Sequence, residues 1–83
     1  MKVRIKLYAS LGEFLPAGAV KNEADIEVGD TPSPTQIIHR LGLPEKMCHM
    51  VLINGVYIAP EDRNVTLLAE GDHLAIWPPV AGG

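Results

Sequence analysis

The chain has 83 residues, 7 basic and 10 acidic side chains, a formal charge of −3 and one cysteine. That length fits one small domain with a thin core, because a domain of this size buries only about 60–68% of the surface its unfolded chain exposes. Lone Cys48 excludes an internal disulfide and a cysteine-pair zinc knuckle, and a pI near 5.4 argues against a nucleic-acid partner.

Residues 2–9 open with a clean alternation. Val3, Ile5 and Leu7 fall on one face and Lys2, Arg4 and Lys6 on the other, the period of a half-buried strand. The same alternation denies the N-terminus the continuous apolar stretch of a signal peptide, and no run approaches the roughly 18 residues of a membrane span. The expected setting is therefore the cytoplasm, with no membrane partner and a reduced thiol. Gly12, Pro16, Gly18 and Asn22 punctuate a loop over 10–22, in which Leu11, Phe14 and Leu15 can form a short helical turn folded back on the core. Residues 23–28 alternate again, with Ala24, Ile26 and Val28 opposite Glu23, Asp25 and Glu27. If the two strands pair antiparallel, a basic row meets an acidic row, each pair contributing roughly 0.2–1 kcal/mol and disfavouring like-charge registers.

Gly29-Asp30 marks a turn, and Thr31 to Gln36 reads as a helix start. Ser33 is the predicted N-cap, Pro34 suits the first helical position and Gln36 completes a capping box. Ile37, Ile38 and Leu41 supply an apolar stripe before Gly42 stops the helix. Residues 43–49 read as a loop or one more short turn. Asn54-Gly55, set between Met50–Ile53 and Val56–Ile58, is a strong hairpin signal because both turn positions need positive φ. Pro60–Asn64 is a polar loop, Val65–Leu68 is extended or turn-like, Glu70–Asp72 is a turn, and His73–Trp77 is the last strand. The order strand, strand, helix, strand, short strand, strand predicts an α+β fold. With the last strand parallel to the first, it becomes a β-grasp, or ubiquitin-like, fold: a mixed sheet wrapped on a short helix.

Side-chain chemistry is sparse. Cys48 and His49 are adjacent, but neighbours on a regular element do not face one another, so a buried apolar Cys beside a surface His is the expectation. His39 falls at the edge of the helix's packed face, and His73 has no second ligand at metal spacing. Acidic 23, 25 and 27 read as a solvated strand face. No phosphate-binding glycine motif occurs. We expect no bound cofactor and no metal site.

The C-terminus departs in composition. Residues 1–77 read as the domain and 78–83 as an extended tail. Pro78 and Pro79 stiffen the exit from the sheet and cannot donate to a ladder. Val80 and Ala81 are small and uncharged, and Gly82 and Gly83 carry no side chain. Six extended residues reach up to about 20 Å, enough to thread a narrow channel in a partner. Glycine leaves the terminal carbonyl carbon open to attack, so the reactive group would be the Gly83 carboxylate itself. By composition alone, two terminal glycines could also merely fray.

The segment from Leu68 to Gly83, with Gly71-Asp72 before an apolar strand and then P-P-V-A-G-G, resembles the end of the MoaD/ThiS sulfur carriers. It is most similar to molybdopterin synthase small subunits. Val3 to Phe14 and Val51-Leu52-Ile53-Asn54-Gly55 are similar to the family's first strand and hairpin, so the likeness covers nearly the whole chain and is specific at the tail. It departs at 31–50, which is compressed, and at Trp77, where a smaller residue is usual. The resemblance implies a carrier and co-substrate rather than an enzyme. An adenylating enzyme of the ubiquitin-activating (MoeB/ThiF-like) type would spend ATP on the Gly83 carboxylate. A sulfur donor would convert the adenylate to a thiocarboxylate, and a molybdopterin synthase large-subunit-like acceptor would take the sulfur. Trp77, Pro78, Pro79, Val80, Ala81 and Gly82 would bind the partners, and Leu7, Tyr57 and Ile76 are further candidates for an apolar docking patch, each of which could equally be core. Thiamine thiazole or another thiolation route, protein modification through Gly83, and a plain ubiquitin-like binding module are the alternatives.

Overall fold

The structure, a computed structural model, describes residues 1–30 and 32–79. Thr31 and tail residues Val80, Ala81, Gly82 and Gly83 lie outside them. Five strands form one sheet: β1 (Lys2–Leu7), β2 (Glu23–Glu27), β3 (Met50–Ile53), β4 (Val56–Tyr57) and β5 (His73–Trp77), in the order β2-β1-β5-β3-β4. One helix, α1 (Pro34–Leu41), covers one face. β1 runs parallel to β5 and antiparallel to β2, while β3 runs antiparallel to both β5 and β4. This is the mixed sheet of a β-grasp fold.

The opposite charge patterns of the first two strands set their register. Lys2 faces Glu27, Arg4 faces Asp25 and Lys6 faces Glu23. A one-residue slip would turn the apolar set of β2 to the solvent. Arg4 grips Asp25 with both arms of its fork, Nε to Oδ1 at 2.8 Å and Nη2 to Oδ2 at 3.2 Å, and its Nη1 lies 3.7 Å from Glu23. The opposite faces of the strands supply the core. Val3, Ile5, Leu7, Ile26, Val51, Leu74 and Ile76 are buried there with Ile37 and Ile38 of α1.

Helix α1 begins and ends as its sequence specifies. The Gln36 amide donates to Ser33 Oγ at 3.2 Å, and the Ser33 amide donates to Gln36 Oε1 at 3.0 Å. Gly42 adopts φ +77°, where an L side chain is strained. The Gly42 and Leu43 amides then donate to the carbonyls of His39 and Ile38, the paired closure of a Schellman end.

Elsewhere the boundaries shift. β1 stops at Leu7 rather than residue 9, because Ala9 turns the chain at φ +51° into a 3₁₀ segment, Ala9–Phe14, that buries Leu11. β2 ends at Glu27, and β4 is two residues long, ending at Tyr57. The ambiguous stretch after α1 holds a 3₁₀ turn, Glu45–Met47. Val65–Leu68 forms no strand, and Val65 and Leu67 stand exposed while Leu68 packs inside. Among the described residues, no helix is long and apolar enough to cross a membrane.

Candidate functional site

The site is built around the end of β5, where the chain leaves the sheet. Alternation along β5 buries Leu74 and Ile76 and turns His73, Ala75 and Trp77 to the face opposite α1. Register carries that face across the sheet: Met50 lies beside Trp77, and Leu52 sits between Ala75 and Tyr57. Tyr8 stacks on Trp77 with ring centroids 4.0 Å apart and an interplanar angle of 2°. An apolar area of Tyr8, Met50, Leu52, Tyr57, Ala75 and Trp77 therefore covers this half of the outer face. Met50 and Tyr57 are exposed, and the other strand residues are half-buried.

Two of the residues weighed for a docking patch are not in it. Leu7 and Ile76, 1% and 0% exposed, point to the helix side and belong to the core. Tyr57 and Trp77 are on the open face. Pro78 is buried and Pro79 is exposed. The roles expected of Val80, Ala81, Gly82 and Gly83 fall outside the described residues.

The root of the tail is held from both sides. The Tyr8 amide donates to the Ile76 carbonyl at 3.1 Å, and the His49 amide donates to the Trp77 carbonyl at 2.9 Å. The carbonyls of Cys48 and His49 in turn accept from Arg63, through Nη1 at 2.8 Å and Nη2 at 3.1 Å. The sequence reading missed Arg63, which lies in a segment read as loop, and it missed Tyr8, Met50 and Leu52 as face residues. Period two places Met50 and Leu52 opposite Val51, but an unbroken apolar run conceals that alternation.

Side-chain chemistry elsewhere stays modest. Cys48 is buried with its thiol donating to the Pro44 carbonyl at 3.4 Å. Burial pushes that thiol's pKa up, against the pull of Arg63, so it is a poor source of thiolate. His49 is exposed next to it in sequence, and His39 pairs with Glu45 at the surface. His73 lies opposite Arg4 in the β1–β5 register. A shallow, open concavity lies over Arg4, Lys21, Glu23 and Asp25, where Arg4 pairs with Asp25 and lies within ion-pair range of Glu23. Among the described residues, no group of three or more His, Cys, Asp or Glu side chains could hold a metal ion. What the geometry offers is an apolar-flanked path at the end of β5, where the carbonyls of Ile76 and Trp77 accept from the amides of Tyr8 and His49.

The comparisons with known proteins bear on the fold and the family. Among solved structures, SAMP1 of Haloferax volcanii, a small archaeal modifier protein, superposes with a TM-score of 0.68 at 25% identity, covering 100% of both chains. The thiamine biosynthesis protein ThiS of Geobacter metallireducens gives 0.67 at 14% identity, again over 100% of each chain. A complex of subunits 1 and 2 of the molybdopterin-converting factor of Helicobacter pylori contributes a match of 0.63 at 20%, over 100% of both chains. At those identities the last two show likeness of fold. No curated protein sequence matches. The ThiS family model matches residues 5–83, nearly the full length. The chain therefore belongs to the ThiS family of ubiquitin-like sulfur carriers.

Proposed function

We propose that this chain carries sulfur as a thiocarboxylate on Gly83 and delivers it to a molybdopterin-forming acceptor. The observation that carries this reading is that β5, in the middle of the sheet and beside an open apolar face, runs directly into Pro78 and Pro79, the start of the P-P-V-A-G-G sequence. In the proposed cycle an activating enzyme joins the Gly83 carboxylate to AMP and releases pyrophosphate from ATP. AMP is a better leaving group than hydroxide, so a persulfide sulfur from a donor can displace it. Reductive cleavage of the resulting acyl disulfide by a thiol leaves the thiocarboxylate. The carrier is a co-substrate, and its partners supply the catalysis.

The apolar outer face is the surface on which those partners dock. Contiguous aromatic and apolar side chains around an exposed strand end mark interaction sites. A partner docked on this face would meet the chain where Trp77 and Pro78 leave β5. Trp77, Pro78 and Pro79 set the start of that path, and Val80, Ala81 and Gly82 thread the partner's channel. The P-P-V element favours molybdopterin synthesis over the thiamine route.

A second reading has its own support. The likeness to SAMP1 spans both chains at 25% identity, and that protein is a modifier. In this reading the activated Gly83 is passed to a lysine amine. Intact mass separates the two after incubation with ATP, an activating enzyme and a sulfur donor. A gain of about 16 Da, sulfur for oxygen, is expected of the carrier. An isopeptide-linked adduct when a lysine-bearing acceptor protein is added would favour the modifier, and an unchanged mass with several activating enzymes would remove the sulfur-carrier reading.

A further inference from the structure

We infer that Arg63 is the positioning residue for the root of the C-terminal tail, acting through the Cys48–His49 backbone. This rests on the reading of the tail as the working group and names the device that aims it.

Arg63 is 8% exposed, yet among the described residues no carboxylate pairs with it. Burying a cation is unfavourable, and an aliphatic side chain would fill the same space without that cost. What only a guanidinium supplies is a rigid planar fork of N–H donors. Here the fork reaches three carbonyls at once: Ile58 from Nε at 3.0 Å, Cys48 from Nη1 at 2.8 Å and His49 from Nη2 at 3.1 Å. All three lie just outside the strands β3 and β4, and Cys48 has an irregular backbone at φ −91° and ψ 76°. Arg63 also accepts at its own carbonyl from the Thr35 amide, at 3.1 Å, which anchors it to the first turn of α1.

The consequence runs one residue further. With its carbonyl held, His49 presents its N–H to the Trp77 carbonyl, the last group of β5. Pro78 and Pro79 have no N–H, so no later backbone donor in the tail root can tie the chain to the sheet before Val80. The direction in which Pro78 leaves is therefore set at Trp77, by the His49 bond on one side and the Tyr8 stack on the other. Loosening the Cys48–His49 segment would leave the fold standing and spread the tail over many directions.

Arg63→Lys tests this, because it keeps the charge but cannot span three carbonyls. Exchange of individual backbone amides, followed by NMR, is the primary readout. The His49 amide is expected to exchange about tenfold faster, while the Leu74 amide in the centre of β5 is unchanged. Trp77, the only tryptophan, should show a faster decay of fluorescence anisotropy. In the activation assay the half-saturating enzyme concentration should hold, because the outer face still docks, while the maximal rate falls about tenfold. Exchange that accelerates equally at His49 and Leu74, or at neither, would overturn the inference. Should Arg63→Lys fail to fold, the wild-type chain decides: guanidinium and His49 protons that exchange through one common opening support the coupling, and a His49 proton exchanging while the guanidinium stays protected overturns it. A wild-type chain that never gains 16 Da counts against the sulfur-carrier reading alone and leaves the amide result intact.

Discussion

The two halves of the outer sheet face solve the same problem in opposite ways. On β1 and β2, charged side chains face the solvent with bases set opposite acids in the register, and Arg4 is bidentate on Asp25 and within ion-pair range of Glu23. On β5, β3 and β4, the corresponding positions are Trp77, Ala75, Met50, Leu52 and Tyr57, whose interactions in the described structure include the Tyr8–Trp77 stack, cross-strand pairing and the Arg63 guanidinium 6.0 Å from the Tyr57 ring centre. Such a charge ladder favours one register and keeps an edge strand from pairing with other chains. An open apolar area adjoining the tail root does neither, and under the proposed function it is the surface a partner would cover.

The largest test of that contrast removes the tail's end from the open half. Deleting Gly83 is expected to abolish sulfur transfer entirely, read as the absence of the mass gain. The thermal midpoint should stay within about 1 °C, because terminal residues bury little. A matching loss of folding would contradict a tail that works independently of the core.

Next in size is a paired comparison across the face. Leu52→Asp places a carboxylate in the apolar half and should weaken binding of the activating enzyme by roughly 30-fold or more, equivalent to about 2 kcal/mol. Arg4→Gln in the charged half should change binding less than about threefold, because exposed ion pairs are worth little. Titration calorimetry on both variants decides. Equal losses would erase the functional distinction between the halves.

How far these halves were legible depends on how local their signals are. The charge ladder was written in two alternating segments, and the observed register pairs each base with an acid. The capping box, Gly42 and Asn54-Gly55 were equally readable, since each works within a few residues. The apolar half was not, because its members come from three strands and from Tyr8, and Met50–Ile53 reads as one buried run. Leu7 and Ile76 could not be sorted between core and face by proximity to a strand end, although period two along their strands assigns them to the core. Arg63 was invisible for a deeper reason. Its partners are backbone carbonyls 5, 14 and 15 residues away, and no sequence pattern records which carbonyls lack a ladder partner.

A smaller effect, and a control for both halves, comes from the helix behind the sheet. Ser33→Ala removes the Oγ that accepts from Gln36 and should cost about 1 kcal/mol. That predicts a drop in thermal midpoint of roughly 4–8 °C for a domain of this size. Binding and sulfur transfer at 25 °C should be unchanged. A transfer defect in this variant would mean that stability, and not the outer face, limits activity.

The smallest effect is the acid response of the ladder. The hydrogen bond from Arg4 holds the Asp25 carboxyl below its ordinary pKa against the opposing effect of desolvation, with the charges of Arg4, Lys2 and His73 adding to the lowering. A carboxyl whose folded-state pKa is depressed binds fewer protons folded than unfolded. Its stabilisation is therefore present above its unfolded pKa and is lost as pH falls through the depressed folded value. Urea midpoints for the wild type should decline as pH falls below about 4, and Asp25→Asn should flatten that part of the curve while leaving activation at neutral pH untouched. Solvent screens this exposed pair, so the flattening should be slight. An Asp25→Asn curve as steep as the wild type's would place the acid sensitivity at other carboxylates and reduce the Arg4–Asp25 fork to a device of register.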